Sequence, residues 1–321
     1  MLNRDAKMNV AQPRMPRWRS LLFVPAHVER FIASAHKRDA DAVILDLEDA
    51  VPLVQKPAAR AALSQSIASV CQNGAAAMVR VNHSLRALAQ DLEAAVVPGL
   101  IALVLPKVEN AAFVREVADA VADLEIERGL ALGSVRFVLQ IETPAALFDL
   151  RSIAAAHPRV AAMTLGPEDL SAALGGTPEP EGLLGPNLAV LYAARAAGLL
   201  PLGFVGSIAA YSDLEAFRET VRQARRLGFR GAMVVHPAQI PILNEAFAPT
   251  AEELDWARRV IAAAAEATAQ GHGAFELDGR MIDAPIVRRA EDILQQTAAE
   301  AGWGKQSAPA MVGTHVAGSQ I

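Results

Sequence analysis

Cysteine is nearly absent. Cys71 is the only one in 321 residues. One thiol allows neither an internal disulfide nor a cysteine-based zinc cluster. Cys71 lies in an Ala-rich helical stretch, where a small packing residue is expected rather than a nucleophile. The shortage of thiols fits a reducing compartment, so a cytoplasmic location is expected. Aromatic residues are also scarce, with two Tyr and three Trp, and 35 acidic residues outnumber 30 basic ones for a formal charge of −5. Stacking platforms and a basic face are both missing, which excludes nucleic acid as an expected partner. No apolar run approaches the roughly 20 residues of a membrane span. Arg4, Lys7, Arg14, Arg17 and Arg19 come early in the chain but no apolar leader core follows them. Residues 1–18 read as a mobile basic arm, and 302–321, rich in Gly, Ser and Ala, as a flexible tail. A glycine-rich phosphate loop is missing too: the first apolar run ends in Val24-Pro25-Ala26-His27. A doubly wound dinucleotide fold normally carries its fingerprint there.

What the chain does have is material for a large core, with 52% hydrophobic residues. Short apolar runs at 20–24, 42–46, 77–81, 101–105, 136–141, 161–165, 200–204 and 231–235 alternate with longer stretches of helical period. Repeated strand–helix units of this kind give a parallel sheet, and this number of them gives a (β/α)₈ TIM barrel. The barrel is expected over 19–248, and a C-terminal helical appendage or lid over 249–301. Thr143-Pro144 reads as N-cap and first helical residue, with Asp149 and Arg151 on the helix that follows. Asn110 precedes an amphipathic helix from 111 to about 128. Thr250 and Glu253 form a capping box before a helix ending near 269, and a second helix is expected near 285–301. The Gly- and Pro-rich stretch 175–186 reads as a loop.

Barrel enzymes place their chemistry at the C-terminal strand ends. Here those ends are acidic: Asp46-Leu47-Glu48-Asp49 after the second strand, Glu109 after the fourth, Glu142 after the fifth, Glu168-Asp169 after the sixth. Carboxylates gathered at one mouth repel each other unless a cation sits among them, and oxygen donors alone specify a hard ion such as Mg²⁺. Glu142 and Asp169 are one strand–helix unit apart and form the best ligand pair, while Glu168 better suits helix capping. Lys107 stands among carboxylates that would keep it protonated, so charge balance is expected of it rather than Schiff-base chemistry. His236, before Pro237, reads as a capping or core residue.

Several ordered segments resemble the citrate lyase β-subunit-like group of CoA-ester lyases in the HpcH/HpaI aldolase superfamily. They are Arg19-Ser20-Leu21-Leu22-Phe23-Val24-Pro25, Leu45-Asp46-Leu47-Glu48-Asp49-Ala50-Val51, Val79-Arg80-Val81-Asn82 and Leu105-Pro106-Lys107-Val108-Glu109. Gln140-Ile141-Glu142-Thr143, Leu165-Gly166-Pro167-Glu168-Asp169-Leu170-Ser171, His236-Pro237-Ala238-Gln239-Ile240 and Asp278-Gly279-Arg280-Met281-Ile282-Asp283-Ala284-Pro285 continue the series. The resemblance implies that Glu142 and Asp169 hold Mg²⁺, for which Mn²⁺ can substitute. It implies that Arg80 contacts substrate oxygens and that Glu48 and Asp49 hold metal-bound waters. Phe23, Pro25 and Arg30 would lie where the CoA nucleotide binds, and Asp283 would be the acid/base, reaching a neighbouring subunit's site.

The implied reaction is Mg²⁺-dependent cleavage or formation of a 3-hydroxyacyl-CoA thioester of the citryl-, malyl- or citramalyl-CoA kind. Its products would be acetyl-CoA and a 2-keto acid: oxaloacetate, glyoxylate or pyruvate. The rivals are an aldolase of free keto acids, a malyl-CoA thioesterase and a non-catalytic binding relative. An acyl-carrier protein is the alternative bearer of the thioester. The long helix over 251–270 would span about 30 Å, far enough to carry Asp283 to a neighbour's mouth. A homotrimer or hexamer is therefore expected.

Overall fold

Apolar runs separated by helix-length segments pair in parallel, because only a crossover can return the chain to the same end of the sheet. A computed structural model, which describes residues 16–209 and 211–298, shows this arrangement. Most of the basic arm and the whole tail 302–321 lie outside the described residues. The strands are β1 (Ser20–Pro25), β2 (Ala42–Asp46), β3 (Ala76–Arg80), β4 (Leu100–Leu105), β5 (Arg136–Ile141), β6 (Val160–Leu165), β7 (Leu200–Leu202) and β8 (Ala232–Val234). They pair in chain order, with β8 returning beside β1. The seam between β7 and β8 is closed by Gly203 N–H donating to Gly231 C=O at 2.8 Å and Arg230 N–H to Pro201 C=O at 3.0 Å. The result is the expected (β/α)₈ barrel.

Side chains alternate along each strand, and the alternation separates two cores. Val43, Leu45, Val79, Leu103, Phe137 and Leu139 face the helices and are fully buried. The barrel lumen is plugged by Leu21, Ala42, Ile44, Met78, Ala102, Val104, Val138, Ala162 and Leu202. Small and large residues share the plug, as a tapered barrel requires. The same period lifts polar groups onto the plug: Ala42 and Ile44 are followed by Asp46, Ala76 and Met78 by Arg80, Val138 by Gln140 and Glu142. The lumen face thus turns from apolar to charged within two residues. That transition is the base of the site.

Beneath the barrel, Glu125 and Arg159 form a buried ion pair, 2.6 Å apart. Glu125 also accepts from the N–H groups of Gly133 and Val135 at 2.7 and 2.8 Å. Burial alone would raise this carboxyl, but Arg159 and the two N–H donors outweigh it and hold Glu125 below its ordinary value.

Two local expectations need correction. Residues 175–186 are not wholly loop, since a helix runs over Pro180–Ala196 with Pro186 inside it. Pro180 occupies its first turn, where a missing N–H costs nothing. Burial of Leu183, Asn187, Val190 and Leu191 offsets the hydrogen bond that Pro186 cannot donate. After Thr143, two short helices replace one: Pro144–Leu147 and Leu150–Ala154. Asp149 stands at the N-cap position of the second, with Arg151 within it.

The appendage consists of a helix over Ala251–Ala269, strands β9 (Phe275–Leu277) and β10 (Arg280–Ile282), and a helix over Ala284–Ala298. The capping box forms as expected: Thr250 Oγ1 accepts from Glu253 N–H, and Glu253 accepts from Thr250 N–H at 2.8 Å. Asp278 and Gly279 turn the β9–β10 hairpin with φ of 52° and 72°, the left-handed pair that such a two-residue turn demands. Ala257, Val260, Ile282, Ala290 and Ile293 give the appendage its own small core. Asp292, Gln295 and Gln296 of the last helix share a cavity with Trp18, Arg19, Leu200 and Arg230. All four barrel residues lie at N-terminal strand ends, so the last helix docks on the face opposite the mouth.

Candidate active site

A cleft of about 420 Å³ opens at the C-terminal strand ends, and Phe23, Pro25, Asp46, Asp49, Arg80, Glu142, Glu168 and Asp169 all line it. Arg80 is its best-anchored group. β2 and β3 pair with Asp46 opposite Arg80, and Asp46 accepts from Arg80 Nε at 2.8 Å and Nη2 at 2.6 Å. Arg80 Nη1 lies 3.0 Å from Glu48 Oε2, although the angle is poor and that oxygen lacks a hydrogen bond. The Phe23 ring sits beneath the guanidinium, 4.8 Å away. Burial would lower the Arg80 guanidinium, but its bonds to Asp46 and the charges of Asp46, Glu48 and Glu142 raise it above its ordinary value.

Lys107 shares Glu48 with Arg80 and ties together the carboxylates beside the cleft. Its ammonium lies 2.7 Å from Glu48, 3.6 Å from Asp49 and 3.9 Å from Asp169, while its backbone N–H donates to Glu142 Oε2 at 2.8 Å. Its φ of 53° is left-handed, a costly conformation for a residue with a Cβ. Burial would lower the ammonium, but Glu48, Asp49 and Asp169 outweigh it and raise it. A lysine held in the charged form balances charge and makes a poor Schiff-base nucleophile.

Glu142 is 2% exposed. Burial, followed by the charges of Glu48 and Asp169, pushes its carboxyl up to about 7, against the Lys107 N–H and Arg80. Burial likewise pushes Glu48 up, opposed by Arg80 and Lys107. Asp169 projects from the first turn of the helix over Pro167–Leu174. Gly166 leaves the space that Glu142 fills, since a Cβ there would fall 2.4 Å from Glu142 Cγ.

Among the described residues, no three His, Cys, Asp or Glu side chains converge as metal ligands. Two carboxylates suffice for Mg²⁺, which keeps several waters and takes substrate oxygens. Asp46, Glu48, Asp49, Glu142 and Asp169 outnumber Arg80 and Lys107 here, and a divalent cation offsets that excess. The donor set therefore fits the ion.

The structure brings Phe23, Pro25, Glu48, Asp49, Arg80, Glu142 and Asp169 together. It does not bring Arg30 or Asp283 to this cleft. Arg30 is exposed, its guanidinium over the Phe31 ring. Asp283 stands before the last helix and accepts from Ile286 N–H. Glu168 lines the cleft and accepts from Ser207 Oγ. Glu109 is exposed. His236 caps its helix, accepting from Ala238 N–H, and stacks on Tyr211 with ring centroids 5.1 Å apart. Burial pushes the Cys71 thiol up, away from the reactive thiolate.

Asp46 counts among the acidic strand ends in the sequence, but its role as the anchor of Arg80 comes only from the structure. The signal available for it was strand alternation, which puts 42, 44 and 46 on the lumen face beside 76, 78 and 80.

An acidic, cation-ready mouth on a TIM barrel, with one arginine locked against its own aspartate, is the kind of site a divalent-metal barrel enzyme uses. A family profile described as HpcH/HpaI aldolase/citrate lyase matches residues 19–237, and the chain belongs to that family. It is similar to the citrate lyase subunit beta of Haemophilus influenzae, 34% identical over 281 residues that cover 87% of this chain and 96% of that protein. It is also similar to the (3S)-malyl-CoA thioesterase of Cereibacter sphaeroides, 36% identical over 270 residues, covering 83% and 90%. Among solved structures it resembles the protein CitE of Mycobacterium tuberculosis in complex with magnesium, acetoacetate and coenzyme A. That match has a TM-score of 0.67 and 33% identity, covering 89% of this chain and 99% of the other. The protein is accordingly a lyase. Among the described residues, no helix is long and apolar enough to cross a membrane.

Proposed function

We propose that the chain is a Mg²⁺-dependent carbon–carbon lyase of 3-hydroxyacyl-CoA thioesters, of the citryl-, malyl- or citramalyl-CoA type. The observation that carries this reading is the convergence of Glu142, Asp169 and the Asp46-anchored Arg80 on one cleft. Similarity to a structure holding magnesium, acetoacetate and coenzyme A supports it.

Glu142 and Asp169 are the residues that would hold Mg²⁺, and Glu48 and Asp49 would orient its waters. The bound ion supplies Lewis-acid stabilisation of negative charge on the substrate's hydroxyl oxygen. Loss of the hydroxyl proton to water turns that oxygen into the keto carbonyl, and the electron pair of the breaking carbon–carbon bond collects on the departing thioester enolate. Arg80 points a fixed cation at that enolate oxygen, and its orientation is set in advance by Asp46 and Phe23. Lys107 keeps Glu48, Asp49 and Asp169 together without entering the reaction. Phe23 and Pro25 form the wall against which the CoA arm lies, with Arg30 further out on the surface.

The enolate carbon needs a proton, and Asp283 is assigned to deliver it. Because the last helix docks on the N-terminal face, Asp283 is assigned to a neighbour's cleft in a homotrimer or hexamer. Mixing tests this directly. Asp283→Ala and Glu142→Ala subunits, each inactive alone, should regain partial activity on exchange. Exchange without recovery would remove Asp283 from this role.

The substrate is tested by incubating the protein and Mg²⁺ with citryl-, malyl- and citramalyl-CoA and weighing the products. Acetyl-CoA with a 2-keto acid supports the lyase. Free CoA with an intact hydroxy acid supports the thioesterase reading, which the similarity to the Cereibacter protein favours as the alternative. Substitution of an acyl-carrier protein for CoA is checked in the same assay. A cytoplasmic location is part of the proposal, in keeping with the single cysteine.

A further inference from the structure

A second charge imbalance lies on the opposite face of the barrel. A cavity of about 100 Å³ separates the N-terminal strand ends from the last helix, and Arg230 is in its wall. Half-buried, the Arg230 guanidinium has neither a hydrogen bond nor an ion pair among the described residues. Its neighbours deepen the deficit. Arg195 and Arg225 face it, and the nearby carboxylates are engaged elsewhere, Asp292 with Arg195 at 3.5 Å and Glu253 with Arg225. Burial first, then Arg195 and Arg225, make the charged form of Arg230 harder to hold than usual, with Asp292 and Glu253 compensating only in part. Burying a guanidinium without a partner is costly, and an anion of matching shape relieves the cost.

The remaining walls specify that anion. Trp18, Leu200, Phe247 and Pro249 are apolar, so they favour an alkyl body over a fully hydrated ion. Arg17 and Arg19 also line the cavity, but Arg19 is paired with Asp41 at 2.7 Å and Arg17 is likewise engaged, and Asp292 on the rim opposes a second negative charge. A carboxylate matches the planar fork of one guanidinium with two parallel hydrogen bonds. We infer that this cavity is a binding site for a small monocarboxylate with a short alkyl chain, held head-on by Arg230 between the barrel and the last helix. An occupant there touches both, so it fastens the helix that begins directly after Asp283.

The inference stands apart from the lyase reading, and its test uses no activity. The full chain, free of Mg²⁺, is titrated calorimetrically with sodium butyrate at constant ionic strength, with inorganic phosphate in a parallel titration. Wild-type protein and Arg80→Gln should bind butyrate alike, with Arg230→Gln at least tenfold weaker and Arg230→Lys between them. Thermal melting confirms that each variant is folded. No butyrate binding by the wild type overturns the inference whatever the variants do. Loss of binding in Arg80→Gln would place the ligand in the catalytic cleft and overturn it as well. Phosphate binding more tightly than butyrate would overturn the carboxylate assignment.

Discussion

Gly166→Ala is a small change with a calculable effect on the metal site. The backbone at 166 has φ of −94° and ψ of 98°, a region that alanine adopts freely, so the substitution strains nothing in the main chain. The new methyl group would stand 2.4 Å from Glu142 Cγ and 2.6 Å from Glu142 Oε1. Ordinary contact begins near 3.4 Å, so the carboxylate must retreat by about 1 Å from a position of this kind, comparable to misplacements that cost about 100-fold in rate. Glu142 cannot retreat freely, because the Lys107 N–H holds its other oxygen at 2.8 Å. A loss of about 100-fold in turnover, equivalent to about 2.7 kcal/mol, is expected together with weaker Mg²⁺ binding. Calorimetric titration with Mg²⁺, steady-state turnover and a melting curve measure the three quantities separately. An unchanged Mg²⁺ affinity in a variant shown to carry the methyl group would refute the placement of Glu142 as a ligand. A collapsed melting temperature would refute the claim that the main chain tolerates alanine.

Asp46→Asn should lower turnover by about 10- to 100-fold by loosening Arg80, and the effect should vanish in an Arg80→Gln background, which a double-mutant cycle reads out. Glu125→Gln leaves Arg159 buried beside a neutral partner and should cost about 3–5 kcal/mol in urea unfolding at neutral pH. Because the folded Glu125 carboxyl lies below its unfolded value, its stabilisation is complete above an unfolded pKa of about 4.3 and is lost as pH falls through the folded value. The gap between wild type and variant should therefore close in acid, and a gap that persists at low pH would rule out the ion pair as its source. EDTA should abolish activity and Mg²⁺ or Mn²⁺ restore it, with Ca²⁺ too large for the site; restoration by Zn²⁺ alone would mean that the oxygen ligand set is wrong.

Much of this architecture was legible because it depends on local pattern. Eight apolar runs, the Thr143-Pro144 start and the Thr250–Glu253 box are all short-range signals, and each appears in the structure where expected. The helix over Pro180–Ala196 was hidden because proline and glycine locally favour a loop, while burial of Leu183 and Leu191 acts over a longer range. The β9–β10 hairpin carried an Asp278-Gly279 turn signal, but its strands are three residues each and too short to stand out as apolar runs. The acidic mouth could be located from strand ends alone. The Asp46–Arg80 pair required strand register, which no single run reveals. Docking of the last helix on the far face is a tertiary choice with no local signature at all.

The left-handed backbone at Lys107 carries a consequence for substitution at that position. One residue serves the site twice, through a main-chain N–H to Glu142 and through an ammonium among three carboxylates. The two duties place different demands on a replacement. Asparagine or glycine accepts φ of about 53° readily and so preserves the amide that steers Glu142 while discarding the charge. Valine or isoleucine discards both, since a branched Cβ resists that conformation. Tolerance at 107 should therefore rank by backbone preference first and by charge second, so that a neutral asparagine outperforms residues closer to lysine in bulk.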